Sequence, residues 1–154
     1  MEKTNVMRIL DQANISYNSY TYSPDLTNGE EVAKSLSKDP SQTFKTLVTV
    51  SNTLEHLVFV IPVNQTLNLK KASKAAGVKS VEMIKQKELF NLTGYIHGGC
   101  SPIGMKKKFR TFIDETAMLF DTIIFSAGKV GYQVEVNPND LINLISSNYF
   151  ELTD

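Results

Sequence analysis

Two apolar runs separated by a short polar link constrain this chain more than any other feature. Residues 43–50 read TFKTLVTV and residues 56–63 read HLVFVIPV, with Ser51-Asn52-Thr53-Leu54-Glu55 between them. Both runs are dense in β-branched and aromatic residues, which fit a pleated, half-buried surface. A link this short leaves no room for a crossover, so the expected unit is an antiparallel hairpin. One residue breaks the apolar pattern. On alternation Lys45 shares a face with Leu47 and opposes Phe44, Thr46 and Val48. A cation there either snorkels at a sheet edge or holds an anion.

The remaining segments supply partners for that hairpin. Thr4 reads as the N-cap of a helix carrying Val6, Ile9, Leu10 and Ala13, which Asn14 ends. Residues 15–22 read as a strand, with Tyr17 on it and Tyr20 and Tyr22 on one face. Thr27-Asn28-Gly29-Glu30 has the spacing of a capping box ahead of Val32, Ala33 and Leu36, and Asp39-Pro40-Ser41 breaks that helix. Asn68 opens a helix with Leu69, Ala72, Ala75 and Ala76 inward, and Gly77 stands at its stop position. Residues 78–83 predict a strand, 85–92 a short helix, 111–114 a brief strand and 115–120 a turn or helix. Strands 122–126 and 131–136 flank the tight link Ala127-Gly128-Lys129-Val130. Asn137 and Pro138 then start a helix through Leu141, Leu144 and Ile145, with Asp140 in its first turn. Residues 148–152 complete the pattern as a last strand. Strands arriving in adjacent groups with hairpin-length links predict an α+β fold. The expectation is a single domain over 1–154, with a curved, mixed or mainly antiparallel central sheet and flanking helices.

Sixteen basic residues balance 16 acidic ones, for a formal net charge of zero. That argues against affinity for nucleic acid through broad phosphate neutralisation, although reading one end of a nucleic acid remains open. The dense basic cluster is Lys106-Lys107-Lys108 with Arg110, read either as a solvated turn or as a phosphate contact. The single Cys precludes an internal disulfide and fits a reducing compartment. No apolar h-region opens the sequence and no apolar run approaches a membrane span, so the expected location is cytoplasmic.

The stretch from Gly94 to Ile113, GYIHGGCSPIGMKKKFRTFI, is the strongest candidate for a ligand surface. Gly98 and Gly99 let a ligand approach the main chain, and Pro102 biases Ser101 toward an extended conformation. His97 and Cys100 in the same loop invite a Cys–His nucleophile, but spacing alone does not establish such a pair, and a lone Cys is usually a small buried hydrophobe. Two His and one Cys make a poor zinc set, with no CxxC or HExxH spacing. Ser126-Ala127-Gly128-Lys129 resembles a fragment of a phosphate loop, yet the full Walker pattern is missing, as is a GxSxG elbow.

Six segments in one order carry a resemblance. FKTLV at 44–48, LNLKK at 67–71, KSVEM at 79–83, GYIHGGCSPIG at 94–104, FID at 112–114 and SAGKVG at 126–131 are similar to the YbaK family of aminoacyl-tRNA deacylases. The likeness is greatest to the YbaK/EbsC branch acting on Cys-tRNA(Pro), and extends to the editing domain of bacterial prolyl-tRNA synthetases. The resemblance implies a partly open barrel and hydrolysis of the ester joining a mischarged amino acid to tRNA, most of all Cys-tRNA(Pro) and also Cys-tRNA(Cys). A synthetase pocket for proline cannot reject cysteine by binding alone, so a second site removes the error. In this branch the substrate thiol attacks its own carbonyl, so the protein need not bring a nucleophile.

By the same resemblance, Lys45 holds the phosphate or ribose end of the tRNA and Thr46 offers a hydroxyl beside it. Gly98 and Gly99, with Ser101 and Pro102, match a loop whose carbonyls hold the α-ammonium and whose N–H groups stabilise the developing oxyanion. Tyr22 and Ser126 match pocket positions, and Gly128 and Lys129 the adjoining loop. The implied partners are the tRNA acceptor end and prolyl-tRNA synthetase, with no cofactor, metal or membrane. Cys100 stands where an aliphatic residue is expected, and Gln133 where an acidic one is; Glu135, two positions on, is the possible substitute. The alternative is a non-catalytic module that binds an aminoacyl end or a small molecule.

Overall fold

The computed structural model describes residues 2–154. The 43–63 hairpin forms at its centre: β2 (Phe44–Ser51) and β3 (His56–Pro62) pair antiparallel, with Lys45 opposite Ile61 and Thr49 opposite Leu57. Around them grows a five-stranded sheet in the order β4-β2-β3-β5-β8, using β4 (Val81–Met83), β5 (Arg110–Asp114) and β8 (Tyr149–Phe150). β4 joins β2 antiparallel, whereas β5 and β8 add in parallel, so the sheet is mixed. A separate three-stranded antiparallel sheet has the order β1-β7-β6, from β1 (Tyr17–Thr21), β6 (Ile123–Ser126) and β7 (Tyr132–Val136). Among the described residues one parallel bridge, Thr43 to Ile124, ties the two sheets together. The barrel is therefore open, and β2 and β6 part immediately beyond that bridge.

The hairpin is apolar on both faces because both are covered. Val60 and Phe44 face a core built with Val6, Met7 and Leu10 of α1 (Asn5–Gln12), Phe125, Val134 and Leu141 of α5 (Pro138–Ile145). Leu57, Phe59 and Ile61 turn the other way, onto Ala72 and Ala76 of α3 (Leu69–Ala76) and Phe112. Burial of this kind contributes roughly 1.5–3 kcal/mol per large side chain.

The caps anticipated from sequence are present at three helices. Thr4 Oγ1 accepts from the Met7 N–H, Asn68 Oδ1 from the Lys71 N–H, and Asn137 Oδ1 from the Asn139 N–H. Gly77 ends α3 in the left-handed region at φ 71°. The cap of α2 (Gly29–Ser35) differs: Asn28, not Thr27, takes the extended N-cap conformation, and its Oδ1 accepts from Glu30 and Glu31 N–H at 2.9 and 3.3 Å. Asn carries its acceptor on a longer arm that reaches both amides, so the Thr27 box gives way to it. Between β4 and β5 the chain forms α4 (Leu89–Thr93) and then the Gly/Pro loop.

Candidate active site

A cleft of about 350 Å³ opens where β2 and β6 separate. Tyr22, Lys45, Thr46, Gly98 and Ser126 line it, as do His97, Cys100 and Gln133. Strand pairing explains how residues so distant in sequence meet. Thr43 bridges Ile124, and Lys45 and Ser126, each two residues beyond that bridge, stand on the two diverging strands that line the cleft. Ser126 pairs with Gln133, and Gln133 with Tyr20 on the neighbouring strand. The row thus crosses the seam between the sheets. The start of α2, Thr27 to Gly29, and Leu89 of α4 complete the walls.

Lys45 is half-buried, and among the described residues no carboxylate lies within 4.0 Å of its ammonium. Burial pushes its pKa down, with Glu30 offsetting part of that shift. Two further groups lack partners: Thr46 Oγ1 and Gln133 Oε1 are both buried without a hydrogen bond among the described residues. A buried polar atom left unpaired costs about 1–3 kcal/mol, so such atoms concentrate where a ligand completes them. A cation and two unsatisfied oxygens therefore surround one cavity.

The Gly/Pro loop reaches the cleft through Gly98, which sits at φ 86°, a backbone conformation that disfavours side chains. The Tyr22 hydroxyl donates to the Gly98 carbonyl at 3.4 Å. The other loop residues lie behind this surface. The Gly99 N–H donates to the Ile96 carbonyl at 3.0 Å. Ser101 is fully buried, its Oγ accepting from the Ile103 N–H at 3.3 Å. Pro102 is buried, and it lines a separate hollow with Lys107 and Lys108. Gly128 allows the β6–β7 turn to press on this loop, because a Cβ there would stand 2.9 Å from the Tyr95 ring. Its N–H donates to Ser126 Oγ at 3.1 Å. Lys129 is exposed, ion-paired with Glu2 and stacked 5.2 Å over the Tyr132 ring, outside the cleft. Five of the ten residues assigned by resemblance thus meet at the cavity.

Cys100 and His97 both face the cavity, but no hydrogen bond joins them among the described residues. Burial raises the Cys100 thiol to about 12, against a weaker opposing bond from Thr93, so it is a thiol at neutral pH. Glu135 does not take the place of an acidic residue at 133. Its carboxylate accepts from the Tyr20 hydroxyl and from the Thr122 hydroxyl (2.5 Å), with Lys38 at 3.9 Å. Burial pushes the Glu135 carboxyl up, but these hydrogen bonds and Lys38 outweigh it and hold it below the usual value. Arg110 likewise leaves the basic cluster: its guanidinium forks onto Glu55 at 2.8 and 2.9 Å and reaches the Ala76 carbonyl. Asp114 of the FID segment is structural, accepting from the Thr116 hydroxyl and the Leu152 N–H. Among the described residues no His, Cys, Asp and Glu cluster could hold a metal, and no helix is long and apolar enough to cross a membrane.

Sequence reasoning named Gln133 only as a departure from a pattern and did not place it in the cavity wall. Its signal was a polar residue among β-formers, which is ambiguous until the strand's neighbours are known.

The fold recurs in solved structures. The chain superposes with a TM-score of 0.84 on "a putative trans-editing enzyme for prolyl tRNA synthetase", at 19% identity over 99% of both chains. A second structure, "hypothetical protein APE2540", gives a TM-score of 0.90 at 20% identity, covering 98% of this chain and all (100%) of the other. At the level of sequence, the profile of the aminoacyl-tRNA editing domain matches residues 23–144. The chain belongs to the aminoacyl-tRNA editing domain family. It is 47% identical to the Enterococcus faecalis protein named "Putative Cys-tRNA(Pro)/Cys-tRNA(Cys) deacylase EbsC", covering 99% of this chain and 94% of that one. It is also 29% identical to the proline–tRNA ligase of Shouchella clausii over 75% of this chain and 20% of the ligase.

Proposed function

We propose that this protein is a trans-editing deacylase that removes cysteine from mischarged tRNA, Cys-tRNA(Pro) first and Cys-tRNA(Cys) as a second substrate. The observation that carries the reading is a cavity with an unpartnered, half-buried Lys45, two unsatisfied oxygens and a Cys100 held as a neutral thiol. Such a cavity can hold and orient an aminoacyl ester but supplies no activated nucleophile of its own. Chemistry then falls to the substrate. The cysteinyl sulfur attacks its own ester carbonyl carbon, the bond from that carbon to the ribose oxygen breaks, and the thiol proton ends on that oxygen. The products are uncharged tRNA and a cyclic thioester of cysteine. Lys45 holds the ribose or phosphate end, while Tyr22, Thr46, Gly98 and Ser126 shape the aminoacyl side. Gly99, Ser101, Pro102 and Gly128 support that surface from behind, and the Lys129 main chain packs against Gly99 while its side chain points to solvent.

Zero net charge fits a catalyst that touches only the acceptor end and draws further tRNA affinity from a synthetase. The likeness to part of a proline–tRNA ligase supports prolyl-tRNA synthetase as that partner, in the cytoplasm where tRNA is charged. The test is a deacylation panel. Release of tRNA from Cys-tRNA(Pro), with Pro-tRNA(Pro) spared, is expected. Equal hydrolysis of Ser-, Ala- and Cys-charged tRNA removes the thiol-assisted route, and binding of charged tRNA without release makes the protein a non-catalytic module. Salt dependence with and without prolyl-tRNA synthetase tests the partnership.

A further inference from the structure

The edge of β2 has a gap one residue long, and it faces the cavity. In an antiparallel pair, alternate residues turn their N–H and C=O toward the partner strand. On β2 the odd positions turn toward β3: the Ser51 N–H donates to the Glu55 carbonyl and the Val63 N–H to the Thr43 carbonyl, at the two ends of the ladder. The even positions turn outward. Val48 is occupied there, accepting from the Ile84 N–H at 3.3 Å, and Val50 lies opposite Glu82 of β4. At the other end Phe44 abuts the Thr43–Ile124 bridge. Between these two closures stands Thr46. On that outward side no strand ladder reaches it among the described residues, because β4 pairs only with Thr49 to Ser51 and the bridge to β6 falls at Thr43, and its Oγ1 is unpaired as well.

An unpaired strand edge is a template for a further strand. β6 and β4 close this one at both ends, so an extended peptide does not fit and a single amino-acid unit does. We infer that the outward edge of Thr46 is the slot for the α-aminoacyl group, its N–H donating to the ester carbonyl and its C=O accepting from the α-ammonium. An aminoacyl ester presents one carbonyl oxygen and one ammonium flanking a single Cα, the polar pattern of one residue of a strand. The ammonium has further protons for the two unsatisfied oxygens, Thr46 Oγ1 and Gln133 Oε1. The slot rests on the proposed aminoacyl-tRNA substrate, and it moves the carbonyl donor from the Gly/Pro loop to β2. The Gly99 N–H is already bonded to Ile96, whereas the outward Thr46 N–H lies beyond both the β4 ladder and the β6 bridge. When the ester carbonyl becomes tetrahedral and its oxygen gains charge, a donor fixed in a strand needs no reorganisation.

Amide hydrogen exchange on the full chain tests this residue by residue. In the free protein the Thr46 amide should exchange about 100-fold faster than those of Lys45 and Leu47, which β3 protects. The probe is 3′-(2-aminobutanoylamino)-3′-deoxyadenosine, a stable amide whose ethyl group stands in for the cysteine side chain. At saturation it should slow Thr46 exchange at least about 10-fold and shift its amide resonance. Thr46→Val keeps the N–H, so it should keep that protection while binding the probe about 3–10-fold more weakly through loss of the hydroxyl. A Thr46 amide already as protected as its neighbours overturns the slot. So does a probe that binds while shifting only residues 98–100, or one that does not bind at millimolar concentration. Deacylation of Cys-tRNA(Pro) by the same preparation separates the two ideas. Activity with an unresponsive Thr46 removes the slot alone, and a responsive Thr46 without activity removes the deacylase reading alone.

Discussion

Lys45 and Lys129 resemble each other in sequence context, each in a short motif that the family resemblance assigns to the substrate site. Their surroundings differ. Lys45 lies in the β2 wall of the cavity, half-buried, its ammonium without a carboxylate neighbour and its pKa pushed down by burial. Lys129 lies on the β6–β7 turn, exposed, where its hydrogen bond to Glu2 raises its pKa. The first is a charge held at a cost, with no carboxylate within 4.0 Å among the described residues. The second is a solvated ion pair of the kind worth little to stability. A charge left unsatisfied in a cavity is one that a ligand completes, and a paired surface charge is not.

The largest effect should come from removing the unpartnered charge. Lys45→Ala is expected to lower kcat/KM for Cys-tRNA(Pro) at least about 100-fold while circular dichroism shows an intact fold. An undiminished variant removes Lys45 from the site. The same charge should burden stability. Its folded-state pKa is depressed, so the folded protein bears the cost of the buried cation fully below that pKa. The cost is relieved as pH rises through that value toward the ordinary 10.5. Lys45→Met should therefore raise Tm at pH 7 by roughly 1–3 °C, with the difference from the unaltered protein shrinking in alkali.

Glu135 gives the contrasting case of a charge the fold does satisfy. Glu135→Ala leaves the Tyr20 and Thr122 hydroxyls without their acceptor and should cost about 1–3 kcal/mol in urea denaturation. Because its folded pKa is depressed, this stabilisation is present above the ordinary value of 4.5 and lost as pH falls through the folded value, so the two curves should converge in acid. Constant separation down to acid pH would show that packing, not the carboxylate, is responsible. Cys100→Ser should keep deacylation within about threefold, since a thiol raised to about 12 is no nucleophile at neutral pH; a loss near that of Lys45→Ala would restore a Cys-dependent hydrolase. Smallest of all, Lys129→Ala should change kcat/KM less than about twofold at moderate salt. A loss matching Lys45→Ala would erase the distinction between the two lysines.

Local chemistry made much of the architecture readable in advance. The 43–63 hairpin follows from two β-rich runs and a short link, α3 from Asn68 and Gly77 at its ends, and α5 from Asn137-Pro138. Thr27 and Asn28 show the limit, because two adjacent residues can each cap and only the backbone conformation chooses between them. The site was legible to the same degree. Lys45 stood out as a cation in an apolar strand, and Gly98 as a loop glycine whose backbone could face a ligand. Lys129 did not reveal its position outside the cleft, because its partner Glu2 lies 127 residues away.

The sequence by itself determined which segments become strands and helices, and that an unusual cation would sit within the central hairpin. Those properties depend on neighbours a few residues apart. Tertiary structure alone decided that two sheets meet at the Thr43–Ile124 bridge and then part, so that Lys45, Ser126 and Gln133 line one cleft. It also decided that no strand ladder covers the outward edge of β2 at Thr46 among the described residues. An unpaired hydrogen-bonding group is defined by what fails to reach it, and strand alternation cannot show that until every neighbouring strand is in place.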